Sequence, residues 1–432
     1  MQALSLHHLN YKIRLTRIQK RLTLRELADI TSLSHGYINR IEQGLLTPSE
    51  ETLNVLQEAL GFQYQTNLEA YDRFYEVYEQ LYRCLLYVHY NKAEKLVSEL
   101  LEHRDIHENS ACFIDYYLIL FSALQHLPTY PELNEDLHEK LKILLPVFSY
   151  EQKALFLLES GIYSFYQENN SALALEQLAL HAAFSNDSNQ LGLNYYVTGF
   201  IYSLDYRKYK DSLKAYSKAQ NYFQDQNNFI RVMYVKSNKQ TLCIDMHRYE
   251  EFIETNQETM RYAEFKGLVS IYKTSMKNLG KYYIARGEYA EALDIFSHYN
   301  DPSEGDYYFL KAYTLYNLGY SVEALAICDT FKKTPINDRD GLYALGMDCI
   351  EALIKGDDSK RVNVLLQQFI DRGFEIKYYF FIRIAFKLIK NALPAARQYK
   401  EAYIYAHRVL EAIKHICGKE DIYEILSESF NI

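Results

Sequence analysis

The side chains of this chain that could do chemistry are suited to binding rather than to making or breaking bonds. Thirteen histidines are dispersed, and six cysteines (Cys84, Cys112, Cys243, Cys328, Cys349, Cys417) stand far apart without a C-x-x-C pair. Neither a zinc site nor a redox pair is signalled. No Gly-rich phosphate loop, nucleophile elbow or H-E-x-x-H helix occurs, so neither catalysis nor a cofactor is expected. Charge and carboxamide groups carry the signal instead. Between Met1 and Arg40 stand Lys12, Arg14, Arg17, Lys20, Arg21, Arg25 and Arg40 against only Glu26 and Asp29, although the 432-residue chain has a net charge of -9. A basic tip on an acidic body suits a reader of double-stranded DNA whose body must stay off the phosphates. Further on, Asn238 and Asn278 fall at one repeat position, forty residues apart. A carboxamide both donates and accepts, so two of them along a groove can hold the backbone of an extended peptide whatever its side chains. Lys277 and Lys281 flank Asn278 and could receive a peptide carboxylate or acidic side chain. The other reading of all four is a solvated helix surface.

Helices must position these groups. Residues 22–61 read LTLRELADITSLSHGYINRIEQGLLTPSEETLNVLQEALG. Thr23 and Glu26 form a capping box, in which each side chain satisfies the other's backbone N–H. Leu27 and Ala28 face a core, and the small Ala28 admits a second helix. Thr31 to Ser34 is a short turn, and Ser34 is a good N-cap for a helix whose apolar side is Ile38 and Ile41. Gly44 stops that helix. A further helix starts at Thr47-Pro48-Ser49, carries Leu53, Leu56 and Leu60 at helical spacing, and ends at Gly61. Two helices joined by a tight turn place the second in the DNA major groove.

This segment resembles the Xre-type DNA-binding domains related to the phage repressors, through Leu33-Ser34, Tyr37-Ile38, Arg40-Ile41-Glu42 and Gly44, then Pro48-Ser49 and Thr52-Leu53. The resemblance implies base-facing positions at His35, Gly36, Asn39 and Arg40, and a buried ion pair between Arg17 and Glu42. Arg40 is the best candidate for a base contact, because arginine can pair with a guanine edge in two places. Lys12 and Arg25 are the expected phosphate contacts. Leu24 stands where the family usually has Gln, and Ser32 where a turn Gly is common. A left-handed backbone at Ser32 costs on the order of 1 kcal/mol.

The rest of the chain reads as helical repeats. Residues 276–296, MKNLGKYYIARGEYAEALDIF, place Leu279-Gly280, Tyr283, Gly287, Tyr289, Ala292 and Phe296 at tetratricopeptide spacings. Gly280 and Ala292 are small where paired helices cross, and Gly287 makes the turn. Tyr209, Tyr249 and Tyr289 recur at intervals of forty, Gly319 with Ala324-Leu325 repeats the pattern of Gly287 with Ala292-Leu293, and Gly161 with Ala174 and Leu178 looks like an earlier copy. Prolines 128 and 131 and the stretch 334–341 mark interhelix loops, and 63–67 a hinge. The expected fold is all-α: a helix-turn-helix domain at 1–65, then a right-handed α-solenoid of degenerate tetratricopeptide repeats at 66–432 with a concave groove.

This architecture resembles the peptide-pheromone-responsive regulators of Gram-positive bacteria, the Rgg/PlcR/NprR type. The resemblance implies a quorum-sensing transcriptional regulator. It would be a homodimer that binds operator DNA and is switched by a short signalling peptide in the repeat groove. Longer members of the group also bind a response-regulator protein. The alternative is therefore a scaffold that sequesters such a partner or helps dephosphorylate it. With no apolar signal segment and no run long enough to span a bilayer, a cytoplasmic protein without membrane partners is expected.

Overall fold

The computed structural model describes residues 2–64, 68–127, 130–299, 304–334, 341–395 and 399–416. Every element among them is helical. The expected hinge and the two loops at 127–131 and 334–341 lie partly outside these residues. The chain divides into two compact units, Met1–Asn194 and Tyr195–Ile432.

The first unit begins with α1 (Gln2–Gln19), α2 (Leu24–Thr31), α3 (His35–Glu42) and α4 (Glu50–Leu60). Leu9, Ile13, Leu27, Ala28, Ile38, Ile41, Leu53, Leu56 and Leu60 form their core. Both bonds of the Thr23–Glu26 capping box are made, and Ser34 and Ser49 cap α3 and α4. After α3 the chain closes with Leu45 N bonded to Arg40 O and Gly44 N to Ile41 O, with Gly44 left-handed at φ 71°. That is the six-to-one and five-to-two pattern that satisfies orphan carbonyls at a helix end. Ser32 is left-handed, φ 55° and ψ 23°, so the turn bears the cost expected for a residue with a Cβ.

Next come α5 (Leu68–Leu86), α6 (Tyr90–Glu102), the short α7 (Arg104–Glu108), α8 (Phe113–His126), α9 (Pro131–Leu144), α10 (Tyr150–Tyr166) and α11 (Ser171–Phe184). They enclose a second core, rich in Phe and Tyr, that also takes in Leu15 and half-buried Tyr11 from α1. Helix α1 thus serves two cores with two faces. Helix α12 (Ser188–Ser203) carries the chain into the second unit.

The second unit holds α13 (Tyr209–Asp225), α14 (Phe229–Asp245), α15 (Tyr249–Lys266), α16 (Val269–Arg286), α17 (Tyr289–His298), α18 (Gly305–Asn317), α19 (Ser321–Lys333), α20 (Leu342–Lys355), α21 (Ser359–Glu375), α22 (Tyr379–Ala395) and α23 (Tyr399–Ile416). The first helices of successive pairs stack, α14 on α16, α16 on α18, α18 on α20. Close approach depends on glycine: a Cβ on Gly280 would lie 2.4 Å from the Phe296 ring. Gly287 turns between α16 and α17 at φ 80°, but the same turn between α14 and α15 uses His247 at φ 56°. A left-handed residue with a Cβ is tolerated there at a cost of order 1 kcal/mol, which is why the glycine signal of the repeats fades along the chain.

Candidate functional site

Helix α3 presents His35, Gly36 and Arg40 to solvent, with Asn39 half-buried. Gly36 has open space where a Cβ would be, with none of the described residues within 4 Å of that position. Asn39 Oδ1 accepts from Gln43 Nε2 at 3.4 Å, a weak bond that leaves the carboxamide available. Beneath the helix, Arg17 Nε donates to Glu42 Oε1 at 2.6 Å and Arg17 Nη2 to Glu42 Oε2 at 2.7 Å. Its third donor, Nη1, reaches Leu22 O at 2.7 Å. One guanidinium therefore ties α1, the start of α2 and the end of α3 together in a two-pronged geometry that lysine cannot copy.

Arg25 is exposed on α2, where a phosphate could meet it. Lys12 is not, and the expectation for it is corrected. It is 5% exposed, with its ammonium 5.9 Å from the Phe62 ring and 5.8 Å from the Phe113 ring. Burial pushes it down to about 8, against the pull of Glu108 and Asp105. Sequence counting treated all seven basic residues as surface charge; the period of α1 places Lys12 beside Ile13, on the side that packs.

The four residues expected to line a peptide groove are placed differently from one another. Asn238 is half-buried and donates to Tyr196 Oη at 3.0 Å. Asn278 is 3% exposed, and both its N–H groups are spent, on Ser237 O and on Gln240 Oε1, each at 3.1 Å. It locks α14 to α16. Lys277 is half-buried, 3.2 Å from Asp306 and 3.4 Å from Glu304. Lys281 is buried, 3.3 Å from both Asp306 and Tyr378 Oη. Asn278 and Lys281 are thus interior rather than groove-lining, which corrects the expectation for them.

Asn278 is held against α14 by Ser237 and Gln240, whereas Lys281 is covered by Tyr378 and by Phe380 of α22. The first two turns of α22, from Tyr379 to Phe386, are buried all round. They return to the earlier helices of the unit: Arg383 Nη2 donates to Ala285 O at 2.9 Å, and Tyr206 N to Lys377 O at 3.3 Å. The inner face that a solenoid would leave open is covered there by the chain's own last helices. The signal was readable, because a helix apolar on all sides has to be enclosed, and YYFFIRIAF at 378–386 is such a run.

Sequence reading also passed over Asp245. It is buried and accepts from Tyr209 Oη at 2.7 Å. Burial raises its carboxyl to about 7, against the Tyr209 hydroxyl and the charges of Arg383 and Lys281. Its folded value lies above its unfolded one. Between pH 4 and 7 the folded state therefore holds a proton that the unfolded state has lost, and stability falls as pH rises through that window, by on the order of 1 kcal/mol per unit. Asp245→Asn should flatten that decline. Melting temperatures of both proteins at pH 5 and pH 8 provide the check, and parallel profiles would exclude Asp245 as the source.

Residues 13–65 match the family model described as Helix-turn-helix. No curated protein sequence matches the chain. Among solved structures, a Rap protein complexed with competence and sporulation factor aligns with a TM-score of 0.63 at 15% identity, over 80% of this chain and 99% of that one. The apo form of the quorum sensor NprR from B. thuringiensis aligns at 0.57 and 14%, over 79% and 99%. Aspartyl phosphate phosphatase F from Bacillus subtilis aligns at 0.52 and 17%, over 78% and 93%. The chain shares their fold. No helix among the described residues is long and apolar enough to cross a membrane.

Proposed function

We propose that this protein is a quorum-sensing transcription regulator that binds operator DNA through α3 and is switched by a short signalling peptide held in its repeat body. The observation that carries the DNA half is the open α3 face, with exposed Arg40 and His35 clamped from below by the Arg17–Glu42 pair, in a segment that matches a helix-turn-helix family. One such helix reads few base pairs, so the protein acts as a homodimer on two half-sites. The peptide half is supported by the fold shared with the quorum sensor NprR and with the Rap protein solved with competence and sporulation factor. Of the residues expected in the groove, Asn238 and Lys277 are half-buried and open to a ligand; Lys281 becomes so only if Tyr378 and α22 move, and Asn278 only if α14 and α16 part. A ligand shifts that balance by its differential affinity for the two arrangements.

Selection of bound sites from random DNA, with and without the peptide encoded by a neighbouring small reading frame, tests this reading. Arg40→Ala is expected to cost about 1–3 kcal/mol of binding and to relax preference at one base position, whereas Arg25→Ala weakens all sequences alike. An unchanged preference in Arg40→Ala would move the base contact elsewhere. The second reading, a scaffold that sequesters or helps dephosphorylate a response regulator, is favoured by the fold likeness to aspartyl phosphate phosphatase F. It requires a stable complex with a response regulator that operator DNA does not disturb.

A further inference from the structure

The first unit contains a cavity of about 560 Å³ that neither the DNA face nor the proposed peptide residues account for. It lies between α5, α8, the start of α10 and the turn from α11 into α12. Tyr78, Tyr82 and Tyr150 give it aromatic walls, and Asp115, Glu151 and Asp187 face it; among the described residues no lysine or arginine lines it. Its volume is that of a small-ligand pocket.

The three carboxylates are held in place by neutral donors. Asp115 accepts from Tyr75 Oη at 2.6 Å and from Gln152 Nε2 at 2.7 Å. Asp187 accepts from the backbone N of Gln190 at 2.9 Å, and Glu151 from Ser149 Oγ at 2.9 Å. None of the three is in an ion pair among the described residues. Each stands in or just before the first turn of its helix, which is a sufficient structural reason for any one of them. Together they exceed what the helices offset. A helix N-terminus supplies roughly half a positive charge, so three of them leave on the order of one and a half negative charges around a single cavity. The phenols respond to the same field: burial raises Tyr78 and Tyr82, and Asp115 and Asp187 add to the rise. Gln190 Nε2 donates to Tyr82 Oη at 3.2 Å, and Tyr150 stacks on Phe184 with ring centroids 4.1 Å apart, so the walls are fixed in advance.

Asp115 is half-buried, whereas Glu151 and Asp187 are exposed, so an organic cation here would keep part of its hydration and be held by the grouped carboxylates and the aromatic faces together. We propose that this cavity binds a guanidinium or ammonium group, with the cation among Asp115, Glu151 and Asp187 and its alkyl stem along Tyr78, Tyr82 and Tyr150. As the site of a basic residue of the signalling peptide it rests on the function proposed above; as a cation site it does not.

Calorimetric titration of the full chain with acetyl-arginyl amide, its citrulline counterpart and spermidine provides the test. Citrulline keeps the shape and hydrogen-bonding capacity but lacks the charge. The arginine probe is expected to bind saturably, and the citrulline probe at least tenfold more weakly. The double variant Asp187→Asn with Glu151→Gln, which keeps the capping oxygens, should lose at least tenfold while melting as the parent does. Tyr150→Leu supplies a second variant at a half-exposed wall if the first fails to fold. Tighter binding of spermidine than of the arginine probe supports the site and assigns it to free polyamines. Equal binding of arginine and citrulline, or an unaltered affinity in both variants, overturns it. Failure of the peptide reading registers separately, as operator binding that the neighbouring-gene peptide leaves unchanged while the arginine probe still binds.

Discussion

Glu42→Ala is expected to cost about 3–5 kcal/mol and to open residues 9–60 before the rest of the first unit. Glu42 and Arg17 have side chains only 3% and 12% exposed, and they meet through two parallel bonds. Removing one partner leaves the other buried and alone, and that penalty exceeds the net worth of the pair. Arg17 also holds Leu22 O, so a displaced guanidinium would release the entry to α2 as well. Hydrogen exchange on the full protein should show deprotection confined to α1 through α4. Arg17→Lys keeps the charge but not the fork, and should lose a substantial fraction of the same energy. Parent-like exchange in Glu42→Ala would mean that the pair contributes little.

Asp306→Ala is expected to cost a similar 3–5 kcal/mol in the second unit. Burial alone would raise the Asp306 carboxyl, but Lys281 and then Lys277 hold it below the ordinary range. Lys277 is half-buried and can turn outward; Lys281 is enclosed by Asp306, Tyr378 and Phe380 and would be stranded. Adding Lys281→Met should recover much of the loss, since it removes the isolated charge and keeps the stem's volume. Urea melts of the single and double variants give the comparison; if the double variant is no better than Asp306→Ala, Lys281 is not the group left behind. The sign of the pH effect follows from the depressed carboxyl. This contribution is present above about pH 4 and lost as pH falls below it, opposite in direction to that of Asp245.

Local signals were legible where one residue type satisfies one geometric need. Thr23, Ser34, Gly44 and Gly61 mark helix ends because caps and left-handed turns restrict the choice, and the helix-turn-helix core follows from spacing alone. Gly280 and Ala292 were legible for the same reason: the ring of Phe296 fills the space a Cβ would take. Long-range placement was not. Lys12, Asn278 and Lys281 were read as solvent-facing from their polarity, yet each is enclosed by partners distant in sequence: Phe113 for Lys12, Gln240 for Asn278, Tyr378 for Lys281. No periodicity announces such partners. The acidic cavity was equally hidden, since Asp115, Glu151 and Asp187 come from three different helix starts.

Helix α1 makes the helix-turn-helix domain a poor candidate for transplantation. Its Leu9 and Ile13 belong to one core while Tyr11 and Leu15 belong to the next, and Lys12 sits between Phe62 and Phe113. A fragment cut at residue 65 would carry an uncovered apolar stripe and a lysine stripped of one of its rings. Such a fragment should be sticky and poorly soluble, and a chimera on a foreign body would need a matching seat for α1. The two parts are joined as a hilt is to a blade, so a turn of the early repeats becomes a turn of the helix-turn-helix. On the function proposed above, changing the operator preference is therefore better done within α3 than by exchange of the whole helix-turn-helix domain.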